Sequence, residues 1–200
     1  MVYKKIIFVL LLVIVSEVNA QVFMPDQISV SYMGEFLLHP GGKISVDYRL
    51  VEWDVVRLRG RRKKTDIHKN MFAGLAAGMY YHDGYQSGQF IIPQFQIQNQ
   101  KKSGAYTGYG FGIGALMTTM DQVFILTENG TIDRSPIRNW NSAFVASMEF
   151  GKNLRRVPIG FYIEPQLMYS LPAKSTYIFV EFGINYISAS IKKGYRRFNM

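Results

Sequence analysis

Ala105-Tyr106-Thr107-Gly108-Tyr109-Gly110-Phe111-Gly112-Ile113-Gly114-Ala115-Leu116-Met117 alternates bulky residues with glycine. A period of two marks a strand whose faces meet different surroundings. Tyr109, Phe111, Ile113 and Met117 share one face, and Gly108, Gly110, Gly112 and Gly114 the other. A row of glycines would make a poor wetted surface. On the inner face of a barrel it leaves room for long side chains from neighbouring strands. The stretch therefore favours a barrel with its apolar face outwards over a soluble lipocalin-like barrel, which reverses the sides.

The same alternation recurs on either side. Gln27–Leu38 sets Ile28, Val30, Tyr32, Phe36 and Leu38 against Gln27, Ser29, Ser31 and Glu35. His39-Pro40-Gly41-Gly42 reads as a turn. Lys43–Leu50 then opposes Ile44, Val46, Tyr48 and Leu50 to Lys43, Ser45, Asp47 and Arg49. Met71–His82, Gln89–Asn99, Ser142–Lys152, Ile159–Leu171 and Tyr177–Ser188 complete a set of eight, joined as successive hairpins. Ordinary strands cluster near five or six residues, and most of these are longer. A tilted strand crossing an outer membrane needs about 9–11. The expected fold is all-β: an eight-stranded, antiparallel, up-and-down transmembrane β-barrel. Tyr48, Tyr81, Trp140, Tyr169 and Tyr186 fall near strand ends, where an interfacial girdle belongs.

The chain has 200 residues, 18% of them charged and 48% hydrophobic. That length suits one domain plus short extensions. With no Cys, disulfides, thiolate metal sites and Cys nucleophiles are excluded. Lys4 and Lys5 precede an apolar run, Ile6–Val15, and small or slender residues lead to Ala20. This is a signal-peptide pattern, too short to span a bilayer. The expected organisation is a signal peptide at 1–20, a barrel at 21–191 and a basic tail at 192–200. The formal net charge is +9 for the chain and +8 from Gln21 onwards, where 21 basic residues face 13 acidic ones.

Gly34-Glu35-Phe36-Leu37-Leu38-His39-Pro40-Gly41-Gly42-Lys43-Ile44-Ser45-Val46-Asp47-Tyr48 resembles the first hairpin of small outer-membrane β-barrel proteins of Bacteroidetes. Tyr80-Tyr81-His82 and Glu164-Pro165-Gln166 are similar to later strands of that family. Ser45 and Asp47 stand where the family usually has Gly and Glu. Glu181-x-Gly183-x-x-Tyr186 resembles the C-terminal signal read by the barrel-assembly machinery, although Ser188 replaces the expected final aromatic. The resemblance implies fold and location and says little about activity.

Chemistry-bearing motifs are few. His39 reads as part of a turn, His68 as part of a charged loop and His82 as a strand end, so the three do not share one face at the short spacing a zinc site wants. No cofactor is expected, and no nucleotide-binding fingerprint occurs. His82 with Ser87 is the one pairing that suggests a lipid-modifying enzyme. The polar strand faces carry Glu35, Lys43, Asp47, Arg49, Glu149, Glu164 and Glu181. A barrel of eight strands fills its interior with side chains, so these are expected to form a buried ion-pair network, with Glu35, Asp47 and Arg49 mutually paired. A narrow cation-preferring path is the functional alternative.

The connections sort into two ends. Trp53–Lys69 reads as a long charged loop on the side of the termini, and Thr118–Asn139 as a long loop on the other. The terminal side collects Arg57, Arg59, Arg61, Arg62, Lys63, Lys64, Lys69, Lys101, Lys102, Lys152, Arg155 and Arg156, with Lys192, Lys193, Arg196 and Arg197 from the tail. Asp54 and Asp66 offset two of these. The opposite loops balance Asp83, Asp121, Glu128 and Asp133 against Arg134, Arg138 and Lys174. Outer-membrane barrels keep their termini in the periplasm and long loops outside. The expectation is a basic periplasmic face, attractive to anionic headgroups or an acidic envelope partner. Nucleic acid is not expected in that compartment. The expected role is non-enzymatic, structural or interaction-bearing. Its partners are outer-membrane lipid and, during biogenesis, the barrel-assembly machinery.

Overall fold

The computed structural model describes residues 24–35, 39–59, 63–82, 86–120, 124–126, 132–134, 136–154 and 156–188. The signal-peptide segment 1–20 and the tail 192–200 lie outside the described residues.

Eight strands close into one antiparallel barrel: β1 (Gln27–Glu35), β2 (His39–Arg59), β3 (Lys63–His82), β4 (Gln86–Lys101), β5 (Ala105–Met120), β8 (Ile137–Asn153), β9 (Ile159–Leu171) and β10 (Ser175–Ile187). Each strand pairs with its sequence neighbours in the ring, and β1 pairs with β10. Two short strands, β6 (Phe124–Leu126) and β7 (Ile132–Arg134), form a separate hairpin between β5 and β8.

The register sets the stagger. Gln27 pairs directly with Asp47 on β2 and with Ile187 on β10. Following the pairings round the other way, through β10, β9, β8, β5, β4 and β3, returns to β2 near Leu58. That offset of about ten residues is the shear that tilts strands in a closed barrel. One bulge, between Arg49 and Val51, adds a residue to β2.

Three expected connections differ. His39–Gly42 is not a turn but the start of β2, with Gly41 opposite both Met33 and Tyr80. A Cβ on Gly41 would stand 2.6 Å from the Met79 carbonyl oxygen and 2.8 Å from that of Met33. Glycine is there for close approach of three strands. Trp53–Lys69 is not a loop either. Trp53 pairs directly with Lys69, and the ladder runs on to Arg59 and Lys63. Within Thr118–Asn139, β5 and β8 reach Met120 and Ile137.

The inner glycines take cross-strand side chains. Tyr106 pairs with Gly151 and Tyr162 with Gly183, and each ring occupies the space a Cβ would need. Tyr80 over Gly88 and Phe90 over Gly78 repeat the arrangement. On β5, Gly108 makes room for Gln96 and Glu149, and Gly110 for Ser147.

Candidate functional site

Alternation sends one side of every barrel strand inwards, and the interior is filled in three layers. The layer towards the termini is mostly amide: Gln27, Asn70, Gln98, Gln100, Asn153 and Asn185 are buried there with Phe72 and Ile187. The middle layer is charged. The layer at the far end is apolar: Met33, Tyr80, Phe90, Ile92, Leu116, Val145, Met168, Tyr177 and Phe179 form one buried cluster. Tyr80 packs against Phe179 and Tyr177, with ring centroids 5.2 and 5.6 Å apart. Gln86 donates to the Tyr177 hydroxyl at 2.9 Å.

Lys43 is the centre of the charged layer. Its Nζ lies 2.7 Å from Glu181 Oε2 and 3.1 Å from Glu164 Oε2, with all three side chains buried. Ser31 donates to Glu181 at 3.1 Å. Glu149 accepts from the Tyr106 hydroxyl at 2.7 Å and from Gln96. Asn185 in turn donates to the Tyr106 oxygen at 3.0 Å. Asp47 accepts from Ser45 at 3.2 Å and Gln94 at 3.1 Å. Four buried carboxylates thus surround Lys43, and neutral donors meet much of what its ammonium does not reach, although Glu181 Oε1 is buried without a hydrogen bond. Buried charge is tolerated only with such partners. The cavity between them, lined by Lys43, Asp47, Gln94, Gln96, Glu149 and Glu164 among others, measures about 20 Å³. That is room for about one water molecule.

Of the expected network, Lys43, Glu164 and Glu181 are brought together as ion pairs, with Asp47 and Glu149 beside them. Glu35, Asp47 and Arg49 are not mutually paired. Glu35 stands opposite His39, at the other end of β1 from the Gln27–Asp47 pair, and its side chain lies outside the described residues. Arg49 sits at the mouth, its side chain largely buried at 16% exposure. Its backbone N–H donates to Asp26 at 2.9 Å and its guanidinium pairs with Glu52. Next to it His68 Nδ1 lies 2.7 Å from Asp54 Oδ1. Among the described residues, no group of three or more His, Asp or Glu side chains is arranged to hold a metal ion.

The residue-by-residue reading missed the apolar layer. The signal was present as continuous runs, where alternation lapses: Phe90-Ile91-Ile92, Leu116-Met117, Leu167-Met168-Tyr169 and Ile178-Phe179-Val180. Such runs arise where an apolar residue stands on each face, as with exposed Ile91 and buried Ile92, or exposed Leu167 and buried Met168.

Outwards, the barrel is apolar all round. Val30, Ile44, Leu75, Ile91, Phe95, Phe111, Ile113, Phe161, Leu167, Phe182 and Ile184 are exposed. Tyr32, Tyr81, Trp140 and Tyr169 stand near one rim; Trp53, Tyr109 and Tyr186 stand near the other. His82 and Ser87 do not meet as a nucleophile and base would. His82 pairs with inward-facing Gln86, and Ser87 with outward-facing Tyr81, so the two lie on opposite faces.

Of the basic residues, Arg57, Arg59, Lys63 and Lys64 lie on the β2–β3 ribbon; Lys101, Lys102, Lys152 and Arg156 are exposed at the same end of the barrel. Arg61, Arg62 and Arg155 lie outside the described residues. No protein-family model matches this chain, and no curated protein matches it significantly.

Proposed function

We propose that this chain is an outer-membrane β-barrel of the cell envelope, exported by the segment at 1–20, with a non-enzymatic structural or interaction role. The observation that carries the reading is the inversion of the barrel. Its exposed surface is apolar on every strand, while its interior holds Lys43, Asp47, Glu149, Glu164 and Glu181. Hydrocarbon accepts only backbone whose hydrogen bonds are satisfied internally, and a closed barrel meets that demand. The Tyr and Trp residues near both rims suit the two interfaces. The resemblance to small Bacteroidetes barrels is part of the same proposal.

The filled lumen favours a structural or binding role over conduction. The apolar layer closes one half, and the central cavity is far smaller than a hydrated ion's path. The test is twofold. The mature chain should fractionate with the outer membrane and migrate faster unheated than boiled. Reconstituted in planar bilayers, it should give no unitary conductance steps. Recovery as a soluble periplasmic protein would refute the membrane reading. Regular ion-selective steps would replace the structural role with a channel.

A further inference from the structure

Among the described residues, the register leaves one length of backbone without a neighbouring strand. β1 starts opposite Asp47, where the Asp26 N–H donates to the Asp47 carbonyl at 3.0 Å. β2 runs on past this point to Arg59, paired with β3 alone, while β4 leaves β3 at the Ile67–Lys101 pair. Among the described residues, therefore, no strand covers Leu50–Arg59 on the side away from β3. In barrel terms, β2 and β3 form a two-stranded ribbon standing out from the end where β1 begins and β10 finishes.

Open edges are normally shortened, kinked, broken by proline or covered, because their free N–H and C=O groups template pairing. This edge has one bulge at its base, then an uninterrupted ladder with β3. No proline occurs between Pro40 and Pro93. Leu50, Val51 and Trp53 are exposed along it. The ribbon is also strongly polarised in sequence. Glu52 and Asp54 stand near its base, whereas the basic residues Arg57, Arg59, Lys63 and Lys64 hold the last positions of the ladder.

We propose that the Leu50–Arg59 edge of β2 receives an extended acidic strand from a partner protein, by β-augmentation. Main-chain bonds would supply affinity, and the basic tip would select acidic side chains. A second copy fits poorly. Copies in one bilayer share an orientation, so like edges would meet with their basic tips side by side. Anionic lipid headgroups would answer the charge but leave the backbone unpaired. The proposal rests on the outer-membrane reading for the compartment and for setting aside a second copy.

The test uses the full chain folded in neutral detergent. Its two tryptophans lie apart, so a Trp140→Phe background leaves Trp53 as a reporter on the edge. The probe is a ten-residue peptide alternating valine with glutamate; the control replaces glutamate with lysine. The expected result is a shift in Trp53 emission and slowed exchange of alternate amides in Leu50–Arg59. Reversing Arg57 and Arg59 together to glutamate should weaken binding by about tenfold or more, with unchanged heat-modifiable migration as the folding control. Three outcomes would overturn it: no amide protection, equal binding of the lysine peptide, or perturbation of the ribbon by phosphatidylglycerol vesicles but not by the acidic peptide. The last would assign the tip to a lipid surface. Fractionation is scored separately. A soluble chain that still protects these amides would remove the membrane reading and leave the edge.

Discussion

At the scale of single residues, Lys43 and Arg49 look alike in the sequence. Both are basic, both lie on one polar strand face, and both have carboxylates nearby. Their surroundings separate them. Lys43 is buried between Glu164 and Glu181, so removing it leaves two carboxylates without their cation. Lys43→Met should destabilise the barrel by about 3–5 kcal/mol, measured by urea unfolding in vesicles. Arg49, itself 16% exposed, pairs at the mouth with the half-exposed Glu52, so water reaches and screens the pair from the Glu52 side. Arg49→Ala should cost about 1 kcal/mol or less. A loss from Arg49→Ala as large as that from Lys43→Met would mean that the mouth is buried in the folded protein. Tyr106→Phe removes a hydroxyl that both donates to Glu149 and accepts from Asn185. It should cost about 1–3 kcal/mol, the penalty of leaving buried polar partners unsatisfied.

At the scale of elements, strand alternation was legible because each strand has two unlike surroundings. Where both sides are apolar, the alternation fades. Ile91 and Ile113 face outwards while Ile92 and Leu116 face in, and hydrophobicity alone cannot tell them apart. The Trp53–Lys69 ribbon was hidden differently. Val51, Glu52, Trp53, Asp54 and Val55 do alternate, but the basic run that follows has the composition of a loop. Cross-strand pairing of aromatic rings with glycine also depends on register, which no single strand carries. A side chain at Gly151 would meet the Tyr106 ring, with the Cβ 2.3 Å from it. Gly151→Val should therefore destabilise by about 1–3 kcal/mol through overpacking. The same change in a Tyr106→Ala background should cost less. Equal costs in the two backgrounds would break the proposed link between the glycine and the ring.

At the scale of the whole molecule, the closed ring gives the two ends different characters. The end where β1 begins and β10 finishes carries the ribbon with Arg57, Arg59, Lys63 and Lys64 and the exposed Lys101, Lys102, Lys152 and Arg156, and the other end carries the β5–β8 extension with β6 and β7. In the proposed orientation the basic end faces the periplasm. The native chain has no Cys, so Lys63→Cys and Glu128→Cys can each be labelled alone. A membrane-impermeant maleimide on intact cells should label Glu128→Cys and spare Lys63→Cys. The reverse pattern would invert the orientation and put the basic ribbon outside. The purified chain should also associate with anionic vesicles in a salt-sensitive way, since attraction through exposed charges is screened within about 8 Å at physiological ionic strength.

The sequence by itself determined that the chain makes long amphipathic strands and which face of most of them is polar. Those properties are local, because a strand's two faces follow from alternate positions along one chain. Only the tertiary structure decided which side chains share the lumen. Lys43 meets Glu164 and Glu181 because β2, β9 and β10 are staggered by the shear of a closed ring. The apolar layer likewise exists only once the inward residues of eight strands are set at one height. The edge that β2 leaves uncovered among the described residues has the same origin: β1 begins only at Gln27, opposite Asp47, while β2 and β3 continue, and an edge is a relation between strands that no stretch of sequence contains.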